Sequence, residues 1–188
     1  MFDMLVRLYE LPDHSGLVAR LTSEGVEIRR VLPPERHTVQ AWVKEHFYPG
    51  WASECERAIN NWPVSCFIAV ENGGIIGFAC YDATCRGFFG PTGVAESERG
   101  RGVGKALLWV ALHAMWEIGY GYAIVGGVGP AEFYSKHVGA TPIEGSDPGI
   151  FYASGLPPAA ILTIKRKGRC FGGSFFAPKH TARWYGRT

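Results

Sequence analysis

The chain has 188 residues, 47% of them hydrophobic and 19% charged, with a formal net charge of +2. That length suits one domain, and the balance is that of a folded globular protein rather than a disordered or fibrous one. A charge this close to neutral argues against a dedicated nucleic-acid binder, and no apolar run reaches the ~18 residues a membrane helix needs.

The opening Met1-Phe2-Asp3-Met4 lacks a basic region ahead of an apolar block, so it does not read as a secretion signal, and a cytosolic address is the expectation. Met4 to Leu11 reads as an extra strand closed by Pro12-Asp13. Ser15 to Glu24 reads as a short helix, with Gly25 at the left-handed C-terminal position. Val26 to Leu32 is an expected strand ended by Pro33-Pro34. Glu35 to Phe47 carries Val39, Trp42, Val43 and Phe47 at helical spacing, and a second helix is expected from Trp51 to Ile59 after a break at Pro49-Gly50.

Cys66 to Val70 and Ile75 to Thr84 form an expected hairpin around Glu71-Asn72-Gly73-Gly74, because both central turn residues accept positive φ. Phe88 to Val94 is the next strand. Gly102 to Ile118 reads as an amphipathic helix burying Val103, Ala106, Leu107, Val110, Ala111, Ala114 and Ile118, with Gly119 as its stop. Tyr122 to Val125 is a short strand and Pro130 to Val138 a helix with proline at its first turn. Ile150 to Tyr152 and Ile161 to Lys165 are expected closing strands. Hairpins mixed with strand–helix–strand units predict an α/β sheet with both antiparallel and parallel neighbours.

The five cysteines (Cys55, Cys66, Cys80, Cys85, Cys170) are odd in number and contain no CxxC pair, so no metal site is read from their spacing. Cys66 and Cys80 lie in apolar runs and read as core thiols.

The chemistry concentrates in Val94 to Lys105. A strand ends, a few polar residues follow, and Gly100, Gly102 and Gly104 alternate as the long helix begins. The free N–H groups and dipole of a helix's first turn favour an anion, and glycine lets a phosphate approach the backbone. Arg99, Arg101 and Lys105 add positive charge around that mouth, and together these residues read as a phosphate cradle. It is not a P-loop, since Lys105 is followed by Ala106. Nor is it the dinucleotide fingerprint, which needs a glycine where Leu107 stands. The plainer reading is a glycine-rich turn that only starts a helix.

Arg99-x-x-Gly102-x-Gly104 resembles the [QR]-x-x-G-x-[GA] signature of the GNAT N-acetyltransferase superfamily, with Val94 at the usual valine five residues ahead. Phe133-Tyr134-Ser135-Lys136-His137-Val138-Gly139-Ala140 is similar to the family's FYEKLGF segment. The resemblance runs from Val26 through Lys165. It implies an α/β (α+β) fold with a mixed central sheet, splayed at a central strand and flanked by helices. It divides the chain into an N-terminal strand and helix extension at 1–25, an acetyltransferase domain at 26–167 and a tail at 168–188.

The resemblance implies acetyl-CoA as co-substrate and no metal. It implies that the backbone of Thr92, Gly93 and Val94 holds the pantetheine arm and thioester, and that Gly100, Arg101, Gly102, Val103, Gly104 and Lys105 hold the pyrophosphate beside Arg99. Tyr134 matches the tyrosine that protonates the departing thiolate; alternatively it is a core aromatic. The chain departs from the pattern at Gly127, where relatives often have asparagine, and at Glu96, His137 and Ala140. The expected strand at Phe88 to Val94 has no carboxylate to take the acceptor's proton, so Asp82 is the nearest candidate, directly or through water. Its other reading is a turn residue of Asp82-Ala83-Thr84-Cys85. Glu45, His46 and His137 stand behind it, while His14 and His180 read as surface residues.

The acceptor is expected to be a primary amine of a small molecule or peptide attacked in a ternary complex. The early helices and last hairpin that build such a pocket hold Trp42, Phe47, Tyr48, Trp51, Trp62, Phe151 and Tyr152; at helical spacing these read first as core, and Phe47 to Trp51, expected exposed between helices, as the acceptor's lining. Residues 161–188 hold seven Lys/Arg and no Asp or Glu, leaving the rest of the chain net acidic. That tail interleaves aromatics, which suits packing on the body or a homodimer contact more than nucleic acid. Two other functions remain open at this level: an acyl-CoA-responsive regulatory module without catalysis, and an RNA-linked acetyltransferase using the basic tail.

Overall fold

The structure, a computed structural model, describes residues 1–150. The closing strand expected at 161–165, nearly all of that at 150–152, and the tail from 168 lie outside the described residues.

The elements in chain order are β1 (Met4–Arg7), α1 (Ser15–Ser23), β2 (Val26–Arg30), α2 (Arg36–His46), α3 (Pro49–Ile59), β3 (Cys66–Glu71), β4 (Gly74–Tyr81), β5 (Phe88–Val94), α4 (Val103–Glu117), β6 (Tyr122–Val125), α5 (Ala131–Val138) and β7 (Thr141–Pro142). They form one seven-stranded sheet in the order β2-β3-β4-β5-β6-β1-β7. From β2 to β5 the neighbours are antiparallel; short connections join β3 to β4 and β4 to β5, while β2 reaches β3 through α2 and α3. Asn72 (φ 50°) and Gly73 (φ 77°) make the tight turn of the β3–β4 hairpin. The step from β5 to β6 is parallel, so the chain must cross over a face, and α4 is that crossover.

The first strand does not stand outside the fold. β1 runs antiparallel to both β6 and β7 and lies between them. The segment 1–25, read from sequence as an extension, thus supplies an interior strand, and β7 is a short strand the sequence analysis did not expect. Two apolar clusters cover the two faces. On one face Leu107, Leu108, Ala111, Leu112 and Met115 of α4, with Tyr134 and Val138 of α5, pack on Ala79, Tyr81, Phe89 and Val125. On the other, Val39 and Val43 of α2 and Cys55, Ala58 and Ile59 of α3 pack on Ile68, Phe78 and Cys80. No helix among the described residues is long and apolar enough to cross a membrane.

Several boundaries shift for physical reasons. The return strand ends at Tyr81 rather than Thr84, because Asp82 takes φ 52° and turns the chain. Helix α3 starts at Pro49, the position where proline's missing N–H is not needed, so the expected break shrinks to Phe47 and Tyr48. The buried face of α4 is wider than a single stripe, since Leu108, Leu112 and Met115 are buried too, and Ile118 lies beyond the helix and is exposed. His14 is half-buried, its ring tilted against His113 at 4.3 Å between centroids.

Gly77 is where β4, β5 and α4 come closest. A Cβ there would meet the Gly93 carbonyl at 3.1 Å and a Leu107 methyl at 3.0 Å. Gly77→Ala should therefore lower the unfolding free energy by about 1–3 kcal/mol, measured by urea denaturation. Wild-type stability would mean that α4 does not press on the sheet as closely as described.

Candidate active site

The site begins with a strand that loses its neighbour. β5 pairs with β6 at Phe88↔Ile124 and Phe89↔Val125 only, yet it continues along β4 as far as Gly77↔Val94. Opposite Gly90 to Val94, on the β6 side, no strand pairs among the described residues. Within that stretch the Thr92 hydroxyl donates to the Phe78 carbonyl at 3.0 Å. Gly93 lies under the Phe47 ring so closely that a Cβ would stand 2.5 Å from it.

The open edge leads into the cradle. Gly100 (φ 84°) and Gly102 (φ 93°) take left-handed conformations that deliver the chain into α4. No side chain caps α4, and Ala106 N–H makes the first turn's bond to the Gly102 carbonyl. The amides of Val103, Gly104 and Lys105 carry no backbone hydrogen bond among the described residues, as the first turn of a helix requires. They face a cleft of about 340 Å³ shared with Val94, Arg99, Phe133 and His137. The Trp109 indole N–H donates to the His137 carbonyl at 3.0 Å, which sets the spacing of α4 and α5 and so the width of the cleft. Lys105 Nζ sits 4.9 Å over the Trp109 ring. Burial, then the Lys105 and Lys136 charges, lower the His137 pKa and keep that ring neutral.

One cation expected at this mouth is turned away from it. The Arg101 guanidinium forks onto Glu71 at 2.9 and 2.6 Å and also bonds Glu98. These partners raise its pKa and hold its charge at the end of the hairpin, so only its backbone is left to the cradle. Another residue stands closer, and sequence reasoning missed it. Arg20 of α1 donates to the Arg101 carbonyl at 2.8 Å, and a Cβ on Gly102 would lie 3.1 Å from its guanidinium. Nothing in the sequence links positions 81 residues apart.

Tyr134 stands where β5 and β6 part. Its ring meets Phe89 edge-on at 6.3 Å, and it is 7% exposed. Its hydroxyl has no hydrogen-bond partner among the described residues, and burial pushes its pKa up to about 12. The phenol therefore stays protonated at neutral pH.

Asp82 sits elsewhere, past Tyr81↔Phe89 at the far end of β4 from the cradle. One carboxylate oxygen accepts from Gly87 N–H at 2.7 Å and the other from the Tyr120 hydroxyl at 2.9 Å. That is the turn-forming alternative, and it occupies both oxygens. Of the other candidates, Glu45 is exposed, His46 stacks on Trp42 at 4.5 Å, and His137 lies on the cradle side. Phe47 and Trp51 are half-buried rather than exposed, 5.6 and 6.1 Å from the Phe78 ring. Tyr48 folds its ring over Gly50, and Trp62 is exposed at a loop tip. Phe151 and Tyr152 lie outside the described residues.

Three further features were not legible in the sequence. Glu54 of α3 is partly buried, which raises its pKa, and the Thr84 hydroxyl donates to it. Cys55, Cys66 and Cys80 come from three elements yet hold their sulfurs within 4.8 Å of one another in the core, with Cys55 Sγ 3.7 Å from Cys80 Sγ. Burial raises the Cys80 pKa, which keeps that thiol protonated and apolar. Third, the Gly127 N–H, at the position where relatives often have asparagine, donates to Asp3 Oδ1 at 2.8 Å.

Residues 36–139 match the sequence model of the Acetyltransferase (GNAT) family. No match appears among curated proteins. Among solved structures the chain is similar to a GCN5-related glucosamine N-acetyltransferase region in a fungal multi-domain GH3 β-N-acetylglucosaminidase, with 22% identity, 76% of this chain and 19% of that one covered, and a TM-score of 0.62. It is also similar to a GCN5-related N-acetyltransferase from Sphaerobacter thermophilus (22% identity, 76% and 48% covered, TM-score 0.58) and one from Kribbella flavida (16% identity, 75% and 53% covered, TM-score 0.51). The chain thus spans from about a fifth to about half the length of these structures.

Because Asp82 ties the start of β5 to the end of β4, Asp82→Ala should cost about 1.5–3 kcal/mol of stability, the range for hydrogen bonds to a charged group. Thermal and chemical denaturation check this, and an unchanged midpoint would release Asp82 from its bracing role.

Proposed function

The chain belongs to the Acetyltransferase (GNAT) family; from that premise we propose that it is an acyltransferase that moves an acetyl group from acetyl-CoA to a primary amine by direct attack in a ternary complex. The observation that carries this reading is the meeting of two unsatisfied features at one mouth. The edge of β5 from Gly90 to Val94 lacks a strand partner on one side, and the helix that follows presents its first amides uncapped. A thioester arm fits the first feature and a diphosphate the second.

In this reading the pyrophosphate rests on the amides from Gly100 to Lys105, with Arg99 and Lys105 supplying charge, while Arg20, ion-paired to Glu24, steadies the loop through the Arg101 carbonyl. The pantetheine arm pairs with the open edge at Thr92, Gly93 and Val94 as a short surrogate strand. That places the thioester near the closed end of the wedge, under Tyr134. The neutral amine nitrogen attacks the acetyl carbon, the C–S bond breaks, the departing thiolate takes the Tyr134 proton, and the nitrogen's surplus proton leaves to solvent, which returns one to Tyr134. A phenol raised by burial does not ionise first, so the proton is still in place when charge develops on sulfur. The acceptor enters from the α2/α3 face, where Phe47 and Trp51 flank Gly93 and Phe78.

Tyr134→Phe keeps the ring that packs on Phe89 and removes only the proton. The expected result is a fall in kcat of about a hundredfold, the low end for a positioned acid, with KM for acetyl-CoA nearly unchanged. A thiol-release assay reads both, and an undiminished kcat would take Tyr134 out of the mechanism. In wild type no loss of rate from Tyr134 ionisation should appear until pH nears its value of about 12.

A further inference from the structure

Buried charge is costly unless it is paired, so an unpaired buried carboxylate asks for an explanation. Asp3 is 8% exposed and is the only charged side chain among the described residues to be buried. No Lys, Arg or His of the described residues pairs with it. Oδ1 accepts from Gly127 N–H at 2.8 Å. Oδ2 accepts no hydrogen bond among the described residues. The Asp3 backbone is fixed on both sides, its N–H donating to Ser146 Oγ at 2.9 Å and its carbonyl accepting from Ile143 N–H at 2.9 Å.

Position gives that carboxylate a use. β1 runs against β6 with Met4 opposite Val125, so Asp3 falls one residue further along, level with Gly126, where β6 has just ended and left β5. Met4 and Val125 point into the cluster under α4, so by strand alternation Asp3 lies on the opposite face, the one that carries α2 and α3. Glycine backbone packs close against its Oδ1 side, where side chains would crowd it. A Cβ on Gly126 would come 3.8 Å from Asp3 Oδ1 and 2.9 Å from the Phe88 ring, and one on Gly149 would come 3.2 Å from Oδ1. Glu54, the other partly buried carboxyl described above, already receives the Thr84 hydroxyl.

We propose that Asp3 receives the ammonium group of the acceptor and takes its proton, which makes β1 a contributor to the active site. This rests on the acetyl-transfer reading above. The amine arrives as R–NH3⁺ and pairs with Oδ2, which supplies the missing counter-charge. One proton passes to the carboxylate as the nitrogen attacks the thioester carbonyl, and the nitrogen gives its second surplus proton to solvent as the tetrahedral intermediate collapses. The C–S bond breaks, and the thiolate takes the Tyr134 proton. Solvent then removes the proton from Asp3 and returns one to Tyr134, so the net products are the amide, free CoA thiol and one released proton. The acceptor and the thioester thus meet from opposite faces of the sheet, with Asp3 on one side and Tyr134 on the other.

Asp3→Asn tests this without undoing the fold, since its amide oxygen can still accept from Gly127 N–H. The full chain and the variant are assayed for thiol release with 1,5-diaminopentane, glucosamine and a peptide bearing a free N-terminus, beside calorimetric titration with acetyl-CoA. The variant should lose about ten- to a hundredfold in kcat/KM for the acceptor, the worth of a charged hydrogen bond. Its acetyl-CoA affinity and melting temperature should match wild type. Wild-type kcat/KM in the variant overturns the proposal, as does a variant that melts early but transfers normally while folded, which makes Asp3 a bracing residue only. A wild-type chain that binds no acetyl-CoA defeats the acetyl-transfer reading itself, while one that binds it but acetylates none of the three amines defeats the role of Asp3.

Discussion

The structure turns on a pairing that stops early. Two parallel rungs join β5 to β6, and then β5 goes on with only one neighbour. Backbone groups in a sheet interior need partners, so an edge that opens in the middle of a sheet is costly unless something else occupies it. A ligand able to hydrogen-bond like a strand satisfies that requirement. In the proposed reading the same ligand runs toward α4, whose first amides are also unpaired. Both deficits sit at one mouth because β5 and α4 are consecutive in the chain.

The surrounding packing keeps the gap open. Gly104 lies close to Val94, where a Cβ would meet the valine methyl at 3.3 Å, so α4 rests directly on the end of β5. Trp109 bonds the end of α5 and fixes the far wall. Phe47 lies over Gly93 from the other face. The Arg101 fork onto Glu71 and Glu98 ties the cradle to the β3–β4 turn, so the loop is held by a partly exposed ion-pair network while its amides stay free. β1 closes the other side, which is why a strand from the start of the chain can bring a carboxylate to the point where the sheet divides.

What was legible in the sequence was local. The Asn72-Gly73 turn, the apolar face of α4 and the alternating glycines each announce themselves within a dozen residues, because turn chemistry and helical spacing are short-range properties. The family resemblance rested on the same short segments. What was not legible was pairing at a distance. Arg101 looked like a phosphate ligand until Glu71, 30 residues away, proved to hold it. Arg20 and Asp3 carried no motif, and their partners lie 81 and 124 residues away. Asp82 was read in both ways, and only the positions of Gly87 and Tyr120 show both its oxygens engaged by the turn.

The most direct test of the account is hydrogen exchange at individual amides, with and without CoA. The account predicts slowed exchange at Thr92 to Val94 and Gly100 to Lys105 together, since one ligand satisfies both the open edge and the helix start. Exchange unchanged at both segments under saturating CoA would contradict it, as would protection confined to regions away from the mouth.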